Sequence, residues 1–464
     1  MCYTVPMNEG MERPVVKNET IELEIGAQGS DGQGIGRHKG FVVFVPFALP
    51  GELVEVLIIK VASGYAIGKL IKVLRAAPGR AEPRCGVFRR CGGCQLQHMD
   101  YPLQLEFKRG QVAEALRKIG GIADPDVLPV IGMDEPWRYR NKGIFPVGAG
   151  IAGLFMGMYA PRSHDIVAVE DCPLQPKAAS DAMAAVRRWA ERNGVAAYDE
   201  RTGEGHLRNV MVRVFAETGE SMAVVVTNGQ ALPAAEELVS ELQSAVPGLA
   251  GVIQNINTDR TNVVLGSRYR VIWGSETVGA KLGDLSYAVG HRSFFQVNTV
   301  QMVRLYQAAA DLAALRGTEL LIDAYCGVGT IGQFMASAAG RVIGIESVPQ
   351  SVDEARRSAV RNGIKNAEYI CGKAEEVLPD LVRRGLEPDV ILMDPPRKGS
   401  DERFLDAAAG TGAARIVYIS CNPATMARDI RYLAGKGYRL QTVQPVDMFP
   451  QTADVECVCL LTRS

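Results

Sequence analysis

From Gly317 onward five short apolar runs, ELLIDAY, RVIGIE, AEYIC, PDVILMD and ARIVYIS, alternate with stretches of helical periodicity. Strands joined by helical crossovers run parallel, so this region predicts an open parallel sheet with helices on both faces. Two further runs, YRLQTVQPV and VECVCLLTR, follow each other with no helix between and predict an antiparallel edge. Open sheets of this kind bind ligands at the carboxyl ends of their strands. The residues at those ends are therefore the candidates for chemistry.

The first run ends in DAYCGVGTIG, from Asp323 to Gly332, a glycine turn that lets the backbone approach a ligand. Glu346 ends the second run, nineteen residues after Gly327, where a carboxylate accepts from ribose hydroxyls in an NAD or an S-adenosylmethionine site. Two acids favour the methyl donor. Asp323 precedes the first glycine, where its charge suits a cationic amino group and repels a pyrophosphate, and Asp394 opens the DPPR turn that ends the fourth run. Cys421, in SCNP, ends the fifth run before a helix opened by Pro423; the helix dipole is expected to lower its thiol pKa. Glu456, beginning the last run, is within reach of the same crevice as a general base. The strand count is that of a class I methyltransferase variant of the Rossmann plan.

The front of the chain reads differently. Short β segments, IELEI, GFVVFVPF, ELVEVLIIKV and YAIGKLIKVL, are separated by glycine-rich turns and predict a small barrel of the oligonucleotide-binding type. Cys85, Cys91 and Cys94 follow at CxxxxxCxxC spacing, with Cys172 far along the chain before a proline. Three clustered thiolates and one remote Cys-Pro favour an iron–sulfur cluster, with four-cysteine zinc and unligated thiols left open. Leu103, Phe107, Val112, Leu116 and Ile119 mark an amphipathic helix over 101–119 that packs by its apolar side. Between residues 125 and 298 alternating stretches predict a β-rich central domain, in which Arg138, Tyr139, Arg140 and Lys142 suit phosphate contact and base stacking; a charged edge strand explains them as well.

Composition bounds these readings. The chain has 464 residues, 47% hydrophobic and 22% charged, enough for two to four folded domains. No apolar stretch is long enough to span a membrane and the first residues lack the shape of a signal peptide, so the cytoplasm is expected. There, ten cysteines point to metal, catalysis or burial rather than disulfides. Net charge is only −1, but between Asp31 and Lys118 fourteen Lys and Arg face seven Asp and Glu, a basic front suited to a polyanion. The five histidines are scattered without metal spacing.

GQGIGR followed by FVPFALPGE resembles the TRAM domain, an RNA-binding barrel. FFQVN at 294–298, DAYCGVG, GIE, DPPRKG, SCNP and DMFPQTADVE stand in the order of the RNA (uracil-5-)-methyltransferases, and the front cysteines resemble its iron–sulfur, 23S rRNA-acting branch. The resemblance implies a TRAM barrel over 14–74, a central domain over 75–290 with the cluster cysteines, its 101–119 helix packed on the catalytic part, and an S-adenosylmethionine-dependent catalytic domain over 291–464. It implies Cys421 as nucleophile, Glu456 as base, and Gln296, Tyr325, Thr330, Glu346, Lys373 and Asp394 at donor-contacting positions. Cys85, Cys91, Cys94 and Cys172 would ligate a 4Fe–4S cluster. The expected substrate is a looped or single-stranded uridine of 23S rRNA, with no membrane and no obligate protein partner. A tRNA uracil-5-methyltransferase is the alternative, disfavoured because that branch is taken to lack the barrel and cysteines; an NAD-dependent iron–sulfur oxidoreductase leaves Cys421, Glu456 and Asp394 without work. Gln451 and Asp454 stand where many relatives have histidines, so a proton-handling role there is absent or replaced.

Overall fold

Apolar and polar residues alternate strictly in TIELEI, and one row of side chains can fill a closed barrel while the other meets water. The computed structural model, which describes residues 14–464, closes five strands in this way: β1 (Thr20–Gln28), β2 (Gly34–His38), β3 (Phe41–Val45), β4 (Leu53–Val61) and β5 (Tyr65–Arg75), in the order β1-β2-β3-β5-β4. Leu23, Ile25, Val43, Val54, Val56 and Ala66 fill its interior. Buried Glu52 accepts from the Leu49 N–H at 2.8 Å and from Arg80 Nη2 at 2.8 Å. Burial alone would raise its pKa, but these bonds and the Arg80 charge hold it below the usual carboxylate range. The reading of the first residues as lacking a signal peptide lies outside the described residues.

The chain divides into two compact units. One holds the barrel and residues through Arg89, with Gly93–Gln104 and Gln451–Ala453; the other holds Arg90–Gly92, Leu105–Pro450 and Asp454–Ser464. Helix α1 (Tyr101–Lys118) crosses the division. Its buried stripe is Gln104, Lys108, Val112 and Leu116, four residues apart, so Leu103 and Phe107 are only half-buried and Ile119 is exposed. Two polar residues occupy the inner face where the apolar pattern had placed its neighbours. Lys108 donates to Asp447 Oδ1 at 2.5 Å and to the Phe449 carbonyl at 3.0 Å, with both ionic side chains fully buried. That pair ties α1 to the segment before Glu456.

In the second unit β6 (Lys142–Gly150), β7 (Gly153–Tyr159), β8 (Ile166–Ala168), α2 (Lys177–Arg192), β9 (Leu207–Phe215), β10 (Glu220–Thr227), α3 (Ala235–Ala245), β11 (Leu249–Ile256) and β12 (Arg268–Gly274) follow in turn. Their sheet has the order β12-β11-β10-β9-β6-β7-β8. The β-rich reading of this region agrees with its strands but left out two helices: α2 and α3 cover one face of the sheet, burying Val186, Trp189, Leu238 and Leu242 against Val210 and Val212. α2 is a helix of 16 residues whose buried face, with Ala182, Met183, Val186 and Trp189, recurs at helical spacing that the strand reading passed over. The opposite face, with Met211, Phe215 and Met222, joins the hairpin β13 (Thr277–Leu282)–β14 (Leu285–Gly290) and α4 (Thr299–Ala313).

That core continues into the catalytic-type sheet through Leu321, Val417 and Val458. The elements there are β15 (Leu320–Ala324), α5 (Thr330–Met335), β16 (Arg341–Glu346), α6 (Pro349–Arg361), β17 (Ala367–Cys371), α7 (Ala374–Arg383), β18 (Val390–Met393), α8 (Glu402–Gly410), β19 (Arg415–Ser420), α9 (Pro423–Ala434), β20 (Tyr438–Val446) and β21 (Glu456–Arg463). Their order is β17-β16-β15-β18-β19-β21-β20. The first five are parallel; β21 runs antiparallel between β19 and β20. The order reverses between β15 and β18, which opens a crevice at their carboxyl ends. No helix among the described residues is long and apolar enough to cross a membrane.

Removing one member of a buried ion pair strands the other. Lys108→Met is expected to lower stability by about 3–5 kcal/mol in urea denaturation, with most of it recovered by Lys108→Met/Asp447→Leu. Equal losses in the single and double variants would refute the pairing.

Candidate active site

The crevice is a cavity of about 990 Å³ in the second unit. Gln296, Tyr325, Gly327, Thr330, Glu346, Lys373, Asp394, Cys421 and Glu456 all line it. They come from distant stretches of sequence and meet because the carboxyl ends of β15, β16, β18 and β19 share one edge with the start of β21.

The glycine turn is built for close approach. Tyr325, Gly327 and Gly329 take left-handed φ of 63°, 57° and 79°, and a Cβ on Gly332 would lie 2.7 Å from Asp323 Oδ2. Tyr325 holds this strained backbone with its ring 5.2 Å from that of Phe404. The Gly327 N–H donates to Glu346 Oε2 at 3.0 Å, and the Val348 N–H donates to Oε1 of the same carboxylate at 2.8 Å. Asp323 does not line the cavity: its Oδ2 accepts from the Gly332 N–H at 2.8 Å beneath the turn, while its buried Oδ1 has no partner among the described residues. Thr330 shares a 2.8 Å hydrogen bond with the Tyr306 hydroxyl. Lys373 is exposed and pairs with Glu376 at 3.3 Å.

Two loops frame Cys421. Asn422 caps α9 by accepting from the Ala424 N–H at 3.0 Å, and its Nδ2 donates to the Arg397 carbonyl at 3.1 Å. Arg428 donates to the Lys398 carbonyl at 3.0 Å, and the Ser400 N–H donates to Asp429 at 2.9 Å. The DPPRKG and SCNP segments are thus stitched together, fixing Asp394 and Cys421 relative to each other.

Electrostatics correct one expectation. The Cys421 thiol is pushed up to about 11, by burial first and then by the charges of Glu456 and Asp394, so the helix terminus does not prevail. The acids rise too. Burial carries Asp394 to about 7; burial, then Asp394 and Asp454, carries Glu456 to about 8; burial, opposed by the Gly332 N–H and aided by Asp394 and Glu346, carries Asp323 to about 7. The crowded, desolvated carboxylates of Asp394 and Glu456 suit a cationic ligand, and S-adenosylmethionine, with its sulfonium and ammonium groups, fits this cavity.

The positions of the missing histidines are also accounted for. Gln451 sits at φ 72°, in a reciprocal pair with Gln104: Gln104 Nε2 donates to its Oε1, and its N–H donates to Gln104 Oε1, each at 3.0 Å. Its carbonyl accepts from the Gln95 and Leu96 N–H groups. Asp454 pairs with Arg397 at 2.6 Å. Both positions are occupied by structural bonds. The residues missed from sequence are Tyr306 and Phe449 in the cavity wall. Phe449 stands within DMFPQTADVE, whereas Tyr306 precedes the first parallel strand and carried no signal.

The metal expectation is not matched. Cys85 and Cys94 belong to one unit and Cys91 and Cys172 to the other, all half-buried. Among the described residues no group of three or more His, Cys, Asp or Glu side chains is placed to hold a metal ion. In its own unit the Cys85 N–H donates to Gln97 Oε1 at 3.1 Å. The Cys172 carbonyl accepts from Arg138, which also grips Asp171 through two 2.6 Å bonds.

Comparison with known proteins agrees with this geometry. Residues 14–71 match the TRAM domain and residues 260–464 match the tRNA (Uracil-5-)-methyltransferase family. A protein of Halalkalibacterium halodurans named as an uncharacterized RNA methyltransferase is 43% identical over 450 residues, covering 97% of this chain and 98% of its own. A Caldanaerobacter subterraneus protein of the same description is 44% identical over 445 residues, covering 96% and 98%. The crystal structure of Pyrococcus abyssi tRNA (uracil-54, C5)-methyltransferase with S-adenosyl-L-homocysteine matches at TM-score 0.77 and 28% identity, covering 95% of this chain and 99% of that one. With a barrel matched as TRAM and a cavity suited to a cationic methyl donor, the chain belongs to the S-adenosylmethionine-dependent RNA (uracil-5-)-methyltransferase family.

Proposed function

We propose that the chain methylates C5 of a uridine in 23S rRNA through a covalent bond between Cys421 and C6 of the uracil. The observation that carries this reading is the shared cavity: a cysteine, a buried carboxylate and the glycine turn converge on one crevice. Uracil C5 is a weak nucleophile. Addition of the Cys421 thiolate to C6 forms the S–C6 bond and moves the electron pair of the C5–C6 double bond into an enolate, which makes C5 nucleophilic. S-adenosylmethionine supplies the electrophilic methyl group and a positive charge. Glu456 then takes the C5 proton, the C5–C6 double bond reforms, and the Cys421 thiolate leaves. Glu346 and the backbone of the glycine turn hold the donor's ribose side, and Asp394 braces the reacting end. A uracil reaches this buried crevice only when unstacked from its neighbours.

One observation favours a second substrate. The Pyrococcus protein acts on tRNA by its title and matches 95% of this chain, too large a share to leave out the barrel, so the barrel does not separate the rRNA from the tRNA reading. The basic front suits either RNA, and the cysteine spacing supports 23S rRNA. We further propose a 4Fe–4S cluster on Cys85, Cys91, Cys94 and Cys172 from that spacing and the Cys-Pro step alone; it enters none of the steps above. Anaerobically purified protein is expected to carry iron and acid-labile sulfide that Cys172→Ser loses, and metal-free protein with full activity would remove the proposal.

Mass spectrometry of the protein with S-adenosylmethionine and 5-fluorouridine-substituted RNA decides both mechanism and substrate. Fluorine cannot leave C5 as a proton does, so a methylated covalent adduct is expected with 23S fragments and not with tRNA, and Cys421→Ala forms none. An adduct with tRNA alone reverses the substrate assignment, and none with either RNA despite donor binding sinks the covalent route. With ordinary uridine, Glu456→Gln is expected to lower turnover roughly 100- to 10,000-fold while the methylated adduct accumulates.

The pH profile follows from the same groups. Both reacting forms, the Glu456 carboxylate with a pKa of about 8 and the Cys421 thiolate with a pKa of about 11, become more populated as pH rises. Since kcat/KM reports ionisations of the unliganded enzyme, it should climb from about pH 6 to about pH 9. A maximum near neutrality followed by a fall would contradict these assignments.

A further inference from the structure

Strand alternation gives β9 one face toward each core: Val210 and Val212 meet α2 and α3, while Met211 and Phe215 enter the core shared with the parallel sheet. Arg213 lies between Met211 and Phe215 in that apolar row and is fully buried. Its partner across the ladder is Lys142 on β6, with Met222 on the β10 side. Directly opposed residues project from the same face, so two cations share one patch of sheet.

Among the described residues no carboxylate answers Arg213 or Lys142. Arg213 Nη2 donates to the Ser293 carbonyl, and its Nε and Nη1 are buried without a partner among the described residues. The charged groups that act on half-buried Lys142 are Arg213 and Arg140, both of its own sign, and with burial they bring its ammonium down to about 8. A buried guanidinium with only one of its nitrogens hydrogen-bonded and flanked by like charge is costly in a row of Met and Phe, and the single bond to Ser293 does not offset that cost. The patch adjoins the active site: Arg140 lines the cavity, and Ser293 precedes Phe294, Phe295 and Gln296 in its wall.

We propose that Lys142 and Arg140, backed by Arg213, form a subsite for the phosphodiester that adjoins the target uridine. Lys142 and Arg140 make the contact; Arg213 is a positioning residue, adding its field from beneath and holding Ser293. The carboxylate of the methyl donor has the same anionic oxygens, but it carries an ammonium group one carbon away, which three neighbouring cations repel. A phosphodiester has no such partner. This assignment rests on the RNA-methylating activity of the family and goes beyond it in naming where the backbone of the extruded nucleotide is held.

Salt dependence of RNA binding tests it, because each lost phosphate contact on a single strand lowers the slope of log K against log salt by about 0.7. Full-length protein is titrated with tRNA and 23S fragment transcripts, and separately with S-adenosylhomocysteine. Lys142→Gln is expected to bind RNA several-fold more weakly with the slope reduced by about 0.7, leaving S-adenosylhomocysteine affinity unchanged. Arg213→Met should act in the same direction, and Arg213→Lys, which keeps the charge, should restore the slope. If Arg213→Met does not fold, the Lys142→Gln slope stands as the deciding measurement. An unchanged slope for Lys142→Gln overturns the subsite, as does loss of S-adenosylhomocysteine affinity, which would assign the patch to the donor's carboxylate. Failure of the wild-type protein to bind either RNA would overturn the substrate reading and the subsite together, so the two failures are distinguishable.

Discussion

Asp323, Asp394 and Glu456 are withdrawn from water, and burial is the largest influence on each. Concentrating acids where they are hardest to ionise works against folding and in favour of a positively charged guest. The consequence for stability has a definite sign. A carboxyl whose pKa is higher in the folded chain than in the unfolded one favours folding at low pH, and that contribution fades as pH rises through the folded value near neutrality. The fold's burden from these acids is therefore greatest once pH has risen above their folded values, and a cation held among them relieves what the fold imposes. The Cys421 thiol belongs to the same balance, since the acids that suppress its ionisation are those a cationic donor would neutralise.

Holding that cavity in shape is a matter of shared core. Met211 and Phe215 of the central sheet, Val278 and Val289 of the hairpin, and Leu321 and Val417 of the parallel sheet pack into one apolar mass. The wall segment Phe294–Gln296 hangs between these sheets, fixed by Asn141 Nδ2, which donates to the Gln296 carbonyl at 2.7 Å, and by Arg213. A change deep in the central sheet reaches the crevice through that segment. The buried Lys108–Asp447 pair performs a similar task on the opposite side, holding the carbonyl of Phe449 as well as its carboxylate partner.

How much of this was legible in the sequence depended on whether the signal was local. Strand ends carry ligands in open parallel sheets, so Glu346, Asp394 and Cys421 could be picked out by position alone. The barrel was readable because its short apolar or alternating strands are separated by glycine-rich turns. Asp323 was misjudged in placement, because the turn it precedes folds back and offers it the Gly332 N–H. Arg213 was invisible, since its meaning lies in which core its face of β9 meets. The helix dipole at Cys421 was correctly located and wrongly weighed: a partial charge at a helix end cannot match burial together with two carboxylates. On α1 the periodicity was right, but the innermost positions of its first half proved to be Gln104 and Lys108, polar residues that hydropathy assigns to water.

The strand order at the edge of the parallel sheet has a consequence for synthesis. β21 lies between β19 and β20 although it follows both in the chain. As the polypeptide emerges, β20 has no place in the sheet until residues 456–463 arrive to bridge it to β19. The same residues begin with Glu456, so sheet completion and delivery of the proposed base are a single event. A nascent chain that already displays Cys421 still lacks the group that would complete its chemistry.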